Sequence, residues 1–151
     1  MIKEELVEYA IRATEKSYSP YCKFKVGAAL LTSDDSVFEG ANIENASYPL
    51  SMCAERVAMF NAYMSGVEYD DIVALAVVAD TDTPVAPCGA CRQVMAELLP
   101  RNTIIYLANL KGEIKECSID ELLPYSFSGD DLWLKVVLSQ LLENQMSVNQ
   151  L

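Results

Sequence analysis

The eight residues Ile72-Val73-Ala74-Leu75-Ala76-Val77-Val78-Ala79 carry no polar side chain on either alternating face. A strand that presents apolar groups both ways needs cover on both sides, so it belongs at the centre of a sheet sandwiched between helices. It is also the longest apolar run in the chain, far short of the ~20 residues that cross a bilayer. The fold must therefore be built outward from this strand, with helical segments before and after it supplying the cover.

Those segments are present. Ile2, Leu6, Tyr9, Ala10 and Ala13 fall at helical spacing, predicting an amphipathic helix over about 2–16. Tyr18-Ser19-Pro20-Tyr21 breaks it. Phe24 to Thr32 and Val37 to Ile43 read as a hairpin around Ser33-Asp34-Asp35-Ser36. A polar loop from Glu44 to Leu50 leads to a helix over about 52–64. After the central strand, the loop 80–87 opens onto a helix over about 89–99, which Pro100 ends. Thr103 to Ala108 and Glu113 to Cys117 read as strands around Lys111-Gly112. Ser118-Ile119-Asp120-Glu121 looks like a short helix start, and Asp130 to Glu143 like a last amphipathic helix, with the tail after about 145 frayed. The expectation is a single α/β domain over 1–151, a three-layer α/β/α sandwich with a mixed sheet of about five strands. In such folds ligands collect beyond strand ends, where helix N-termini point inward.

Composition narrows the chemistry. A hydrophobic fraction of 52% with 22% charged residues is that of a globular protein, and 151 residues suffice for one real core. The net charge of −11 and the lack of a basic run argue against nucleic acid as a partner and tilt the substrate toward something small. The opening Met1-Ile2-Lys3-Glu4-Glu5 places charges where an export signal needs an apolar run, so the expected location is cytoplasmic, with no membrane partner. In that compartment five cysteines point to metal ligation or redox chemistry rather than disulfides. There is no histidine, which removes the commonest metal ligand and the commonest general base.

Two segments, Cys53-Ala54-Glu55-Arg56 and Pro87-Cys88-Gly89-Ala90-Cys91-Arg92, stand at predicted helix N-termini. Cys88 and Cys91 are spaced so that a loop-to-helix turn can aim both sulfurs at one ion. Adding Cys53 gives three thiolates and one open tetrahedral position, the arrangement of a catalytic zinc site. Helix N-termini favour thiolates. By itself Cys-x-x-Cys is equally a redox motif or half of a structural zinc site. A redox reading leaves Cys53 and Glu55 unexplained. A four-cysteine site would recruit Cys22 or Cys117, which read more simply as buried core thiols in the strands. Glu55 lies near enough to touch a metal-bound water without ligating the metal, and a carboxylate there can carry a proton.

Cys-x-Glu followed by Pro-Cys-x-x-Cys resembles the signature of the zinc nucleoside and nucleobase deaminases. The polynucleotide editors of that superfamily usually have His where this chain has Cys53. The string Gly40-Ala41-Asn42-Ile43-Glu44-Asn45-Ala46-Ser47-Tyr48-Pro49, with Cys53-Ala54-Glu55-Arg56 and the upstream Phe24-Lys25-Val26-Gly27-Ala28-Ala29-Leu30, is similar to the small homotetrameric cytidine deaminases. The resemblance runs from about Tyr18 to Phe127.

That resemblance implies a cytidine deaminase-like fold and hydrolysis of free cytidine and deoxycytidine to the uridines, in pyrimidine salvage. One Zn²⁺ per chain would be held by Cys53, Cys88 and Cys91. A zinc-activated water would attack C4, with Glu55 as the proton shuttle. Asn42 and Glu44 would read the 3′-hydroxyl that both sugars share. Phe24 would pack near the base and Ala54 would meet it through its backbone. Arg56 would donate to a ligand thiolate and offset the charge of three sulfurs. Phe127 would stack on the base of an adjacent subunit, with Ala46 and Tyr48 near the subunit boundary, in a homotetramer. Two alternatives stay open: a deaminase of another cytosine nucleoside such as blasticidin S, and a structural zinc module that uses the cysteines without Glu55 chemistry. A nucleotide deaminase is disfavoured, because no phosphate cradle is visible.

Overall fold

The computed structural model describes residues 1–132. The elements in chain order are α1 (Lys3–Ala13), β1 (Val26–Thr32), β2 (Val37–Ala41), α2 (Ala54–Met64), β3 (Ile72–Ala79), α3 (Gly89–Leu98), β4 (Ile104–Asn109), β5 (Ile114–Cys117) and the single turn α4 (Ile119–Leu122), with short 3-10 turns between them. The strands form one five-stranded mixed sheet in the order β2-β1-β3-β4-β5. β1 is antiparallel to β2 and to β3, β3 is parallel to β4, and β4 is antiparallel to β5. The apolar run is the central strand, as its two-faced pattern requires. The parallel β3/β4 pair demands a crossover, which α3 supplies.

Cover comes from opposite sides. α1 lays Leu6, Val7 and Ala10 against Ala29, Leu31, Ala76 and Val78. The other face packs Leu30, Leu75, Val77 and Ile105 against Met59 of α2 and Met95 of α3. Met59 and Leu75 are wholly buried, and truncating either to alanine costs about 2–5 kcal/mol. Two glycines bring helices onto strands without an intervening side chain. A Cβ on Gly40 of β2 would lie 2.3 Å from the Ala54 carbonyl oxygen and 2.3 Å from the Ala58 nitrogen. A Cβ on Gly27 of β1 would lie 2.0 Å from the Ala10 carbonyl oxygen.

Several boundaries differ from expectation for local reasons. α1 stops at Ala13 and tightens into a 3-10 turn over Thr14–Lys16. β1 begins at Val26 rather than Phe24, because the Phe24 carbonyl accepts from the Asn42 side chain and its N–H meets the Cys22 sulfur. β2 ends at Ala41, with Ile43 forming isolated bridges to Tyr18 and Met52 instead. Cys22 is not a core thiol: it precedes the strand and is exposed, its thiol turned to the Glu44 carboxylate. Cys117 ends β5, half-buried and packed against the core. The expected last helix falls almost wholly outside the described residues, which reach only a 3-10 turn at Gly129–Asp131 and Leu132. Among the described residues no helix is long and apolar enough to cross a membrane.

Candidate active site

Helices α2 and α3 begin beside one another. Cys53 is the residue before α2 and Cys88 the residue before α3, both in extended backbone. Their sulfurs are 3.9 Å apart. Cys91, in the first turn of α3, is wholly buried and completes a set of three sulfurs lying within 4.8 Å of one another. Neither cysteine cap is occupied by a side-chain hydrogen bond to its own helix, so the sulfurs are left to face each other.

This donor set fits zinc. Tetrahedral Zn–S bonds of ~2.3 Å place two sulfurs about 3.8 Å apart, close to the Cys53–Cys88 separation. The charges agree with the distances. The Cys53 thiol is pushed down to about 5, first by its hydrogen bond with Cys91 and then by Arg56. The Cys91 thiol is pushed up, by that same hydrogen bond and by burial beside Glu55 and Cys53. Three sulfurs this close accommodate one negative charge and resist the next, and a divalent cation is what lets all three ionise. Arg56, one turn on, donates from Nη2 to the Cys53 sulfur at 3.4 Å, which raises the guanidinium pKa further.

Glu55, in the first turn of α2, is 4% exposed. Burial, and then the nearby Cys53 charge, raise its carboxyl above the ordinary 4.5. It lines a cavity of about 250 Å³ together with Phe24, Asn42, Glu44, Ala54 and the two cap cysteines. The structure thus gathers seven of the predicted residues around one space. Ala46 and Tyr48 stand outside it, both exposed, with Tyr48 edge-on to Tyr21 at 6.3 Å between ring centres. Phe127 also lies outside it, on a separate apolar groove with Phe60, Val94 and Leu98. Its carbonyl accepts from Gln93 Nε2 at 2.9 Å while the side chain is left largely exposed.

The polar wall is fastened from behind. Asn42 Oδ1 accepts from the Val26 N–H at 2.8 Å and from Ser17 Oγ at 2.5 Å, and its Nδ2 donates to the Phe24 carbonyl at 2.8 Å. Glu44 Oε2 accepts from the Tyr21 N–H at 2.8 Å, and the Cys22 N–H lies across both oxygens at 3.3 and 3.4 Å. The thiol of Cys22 first, and then these backbone bonds, hold the Glu44 carboxyl below its ordinary value.

Residue types alone do not single out Ser17, Cys22 or Arg92. Arg92 Nε donates to the Pro87 carbonyl and Nη1 to the Leu122 carbonyl, both at 2.8 Å, clamping the loop that carries Cys88 onto α4. An arginine beside the buried ligand of a Cys-x-x-Cys turn is the one signal that could have marked it.

Comparison with known proteins agrees with this geometry. The family model described as cytidine and deoxycytidylate deaminase zinc-binding region matches residues 1–107. A cytidine deaminase of Halalkalibacterium halodurans is 58% identical over 132 residues, covering 87% of this chain and 98% of that protein. The 1.6 Å crystal structure of cytidine deaminase from Burkholderia pseudomallei superposes with a TM-score of 0.82 at 50% identity, over 84% of this chain and 100% of that one. A blasticidin-S deaminase of Bacillus cereus is more distant, 28% identical over 130 residues, 82% of this chain and 91% of that protein. Three sulfurs poised for one cation beside a buried carboxylate, all within the span that the family model matches, lead to one conclusion: the chain belongs to the zinc-binding cytidine and deoxycytidylate deaminase family.

Proposed function

We propose that the protein deaminates free cytidine and deoxycytidine, adding water and releasing ammonia to leave uridine and deoxyuridine. The observation that carries this reading is the buried Glu55 carboxylate on the wall of one small cavity with Cys53 and Cys88, two of three clustered sulfurs. About 250 Å³ is at the small end of ligand pockets, which suits a nucleoside rather than a polynucleotide.

Cys53, Cys88 and Cys91 hold the zinc, one ion per chain. Bound there, zinc supplies a coordinated water with a pKa near ~7, available as a nucleophile at neutral pH. Arg56 draws electron density from the Cys53 sulfur and offsets the excess charge of three thiolates. Glu55 carries one proton of the attacking water to N3 of the pyrimidine, then takes the remaining proton of the hydroxyl added at C4 and passes it to the amino group, which leaves as ammonia. Its dry setting keeps that proton from bulk water and holds its pKa nearer the working pH.

Asn42 and Glu44 take the 3′-hydroxyl, Asn42 through its second Nδ2 hydrogen and Glu44 as an acceptor. Neither role calls on the 2′-position, so ribose and deoxyribose are both accepted. Phe24 packs against the base and the Ala54 backbone addresses its edge. The outer face is closed by Phe127 of a neighbouring subunit, with Ala46 and Tyr48 at the boundary between subunits, in a homotetramer. The domain spans 1–151, works in the cytoplasm and serves pyrimidine salvage. Incubating the purified protein with cytidine tests the reading: ammonia release and the absorbance change to uridine are expected. Zinc-loaded protein inert toward both nucleosides overturns it, and preference for blasticidin S would move the site to that neighbouring activity.

A further inference from the structure

The turn Ser19-Pro20-Tyr21-Cys22-Lys23 is closed by the Lys23 N–H donating to the Ser19 carbonyl at 3.1 Å. Lys23 has φ +56°, in the left-handed region that residues with side chains seldom adopt. The turn brings two consecutive backbone N–H groups and one thiol onto the same carboxylate. Tyr21 and Cys22 donate through their backbones to Glu44, and the Cys22 thiol donates to Glu44 Oε1. The Cys22 sulfur also accepts from the Phe24 N–H at 3.4 Å, and the Phe24 carbonyl accepts from Asn42 Nδ2 at 2.8 Å. One thiol therefore joins three cavity-wall residues into a continuous chain: Asn42 to Phe24, Phe24 to Cys22, Cys22 to Glu44.

The chemistry of this cradle is specific. Glu44 is 9% exposed, and among the described residues no Lys or Arg forms an ion pair with it. Uncharged donors fix a carboxylate's direction without cancelling its charge, so its remaining lone pairs stay strong acceptors for a hydroxyl. Cys22 is itself exposed and belongs to neither core cluster, so it contributes little packing. Its bonds are spent on the wall.

We propose that Cys22 is a positioning residue for the nucleoside, its thiol orienting the Glu44 carboxylate toward the sugar hydroxyl. The proposal rests on the reading of this cavity as the nucleoside site. Chemistry at C4 belongs to Glu55 and the sulfur cluster, so loss of the Cys22 thiol weakens substrate binding and leaves turnover intact.

The test compares steady-state kinetics on cytidine for zinc-loaded wild type, Cys22→Ala, Cys22→Val and Cys22→Ser. The two variants without a donor should raise KM roughly three- to tenfold with kcat within about twofold, the net loss expected for one ordinary hydrogen bond that acts through Glu44 rather than on the substrate itself. Cys22→Ser, which restores a donor, should return KM to within about twofold of wild type. Unchanged KM in the Ala and Val variants overturns the proposal. So does a Ser variant as impaired as Ala, or a defect that appears in kcat together with lost zinc. If Ala misfolds, the apolar Val variant and the near-isosteric Ser rescue still decide it. A wild-type protein that does not deaminate cytidine overturns the underlying reading instead, and is recognised without any variant.

Discussion

Arg56 stands one helical turn beyond Cys53 and donates to its sulfur at 3.4 Å, while its own Nε is buried with no hydrogen-bond partner among the described residues. The guanidinium is thus held through Nη2, and its position depends on the sulfur it serves. Removing it leaves three thiolates with one fewer neighbouring positive charge. Arg56→Gln should shorten zinc retention against a chelator by about tenfold or more, in the range seen when partners of metal ligands are lost. Arg56→Lys should recover only part, since an ammonium does not reproduce the planar fork. Metal release followed with a chromogenic chelator gives the measurement. Retention equal to wild type in Arg56→Gln would make the arginine a bystander.

Glu55→Gln isolates proton transfer from folding. The amide keeps the shape of the side chain and removes the buried titratable group, so zinc content and far-ultraviolet circular dichroism should be unchanged. Turnover of cytidine should fall at least ~10²–10⁴-fold, the usual contribution of a general acid–base. Near-normal kcat in the Gln variant would leave Glu55 as a carboxylate that only favours the helix start.

Glu44 carries a pH signature. Its carboxyl is held below the ordinary 4.5, first by the Cys22 thiol and then by the backbone of Tyr21 and Cys22. A depressed carboxylate stabilises the fold fully above its unfolded value and loses that contribution as pH falls through the depressed one. Glu44→Gln should therefore melt at a lower temperature than wild type at pH 7, and the gap should close in acid below about 4.5, the reference value for the unfolded group. Calorimetry of both proteins across that range checks it; a gap that widens in acid would contradict the assignment.

Phe127 tests the assembly. Mixing Glu55→Ala subunits with Phe127→Ala subunits, after mild dissociation, should yield activity above either parent. Each mixed assembly contains some sites with both wild-type residues only if Phe127 acts across a subunit boundary. No recovery despite proven subunit exchange would place the ring in its own chain's site or outside the site altogether.

Much of this arrangement could be read from residue order. The two-faced run Ile72 to Ala79 located the central strand, and Cys53, Cys88 and Cys91 located the sulfur cluster, because those signals depend on local spacing and helix starts. The strand ends around the cavity were less accessible. Phe24 looked like the opening of a strand, yet its peptide is claimed by Asn42 and Cys22, partners 18 and 2 residues away. Cys22 looked like a core thiol because cysteines usually are buried; only the fold shows a carboxylate 22 residues on waiting for its thiol. Side-chain bonds to distant backbone leave no periodic trace.

Gly40 and Gly27 give the molecule an uneven tolerance for inheritance. At these two positions every alternative amino acid brings a carbon into backbone of the facing helix, so no substitution counts as conservative. The helix pressed on Gly40 is α2, whose first residues are Ala54 and Glu55, following Cys53. A single methyl on Gly40 would press on the first turn of that helix and shift Cys53 and Glu55 together. These two hydrogen-only positions therefore admit glycine alone, whatever the chemistry of the residue offered in its place.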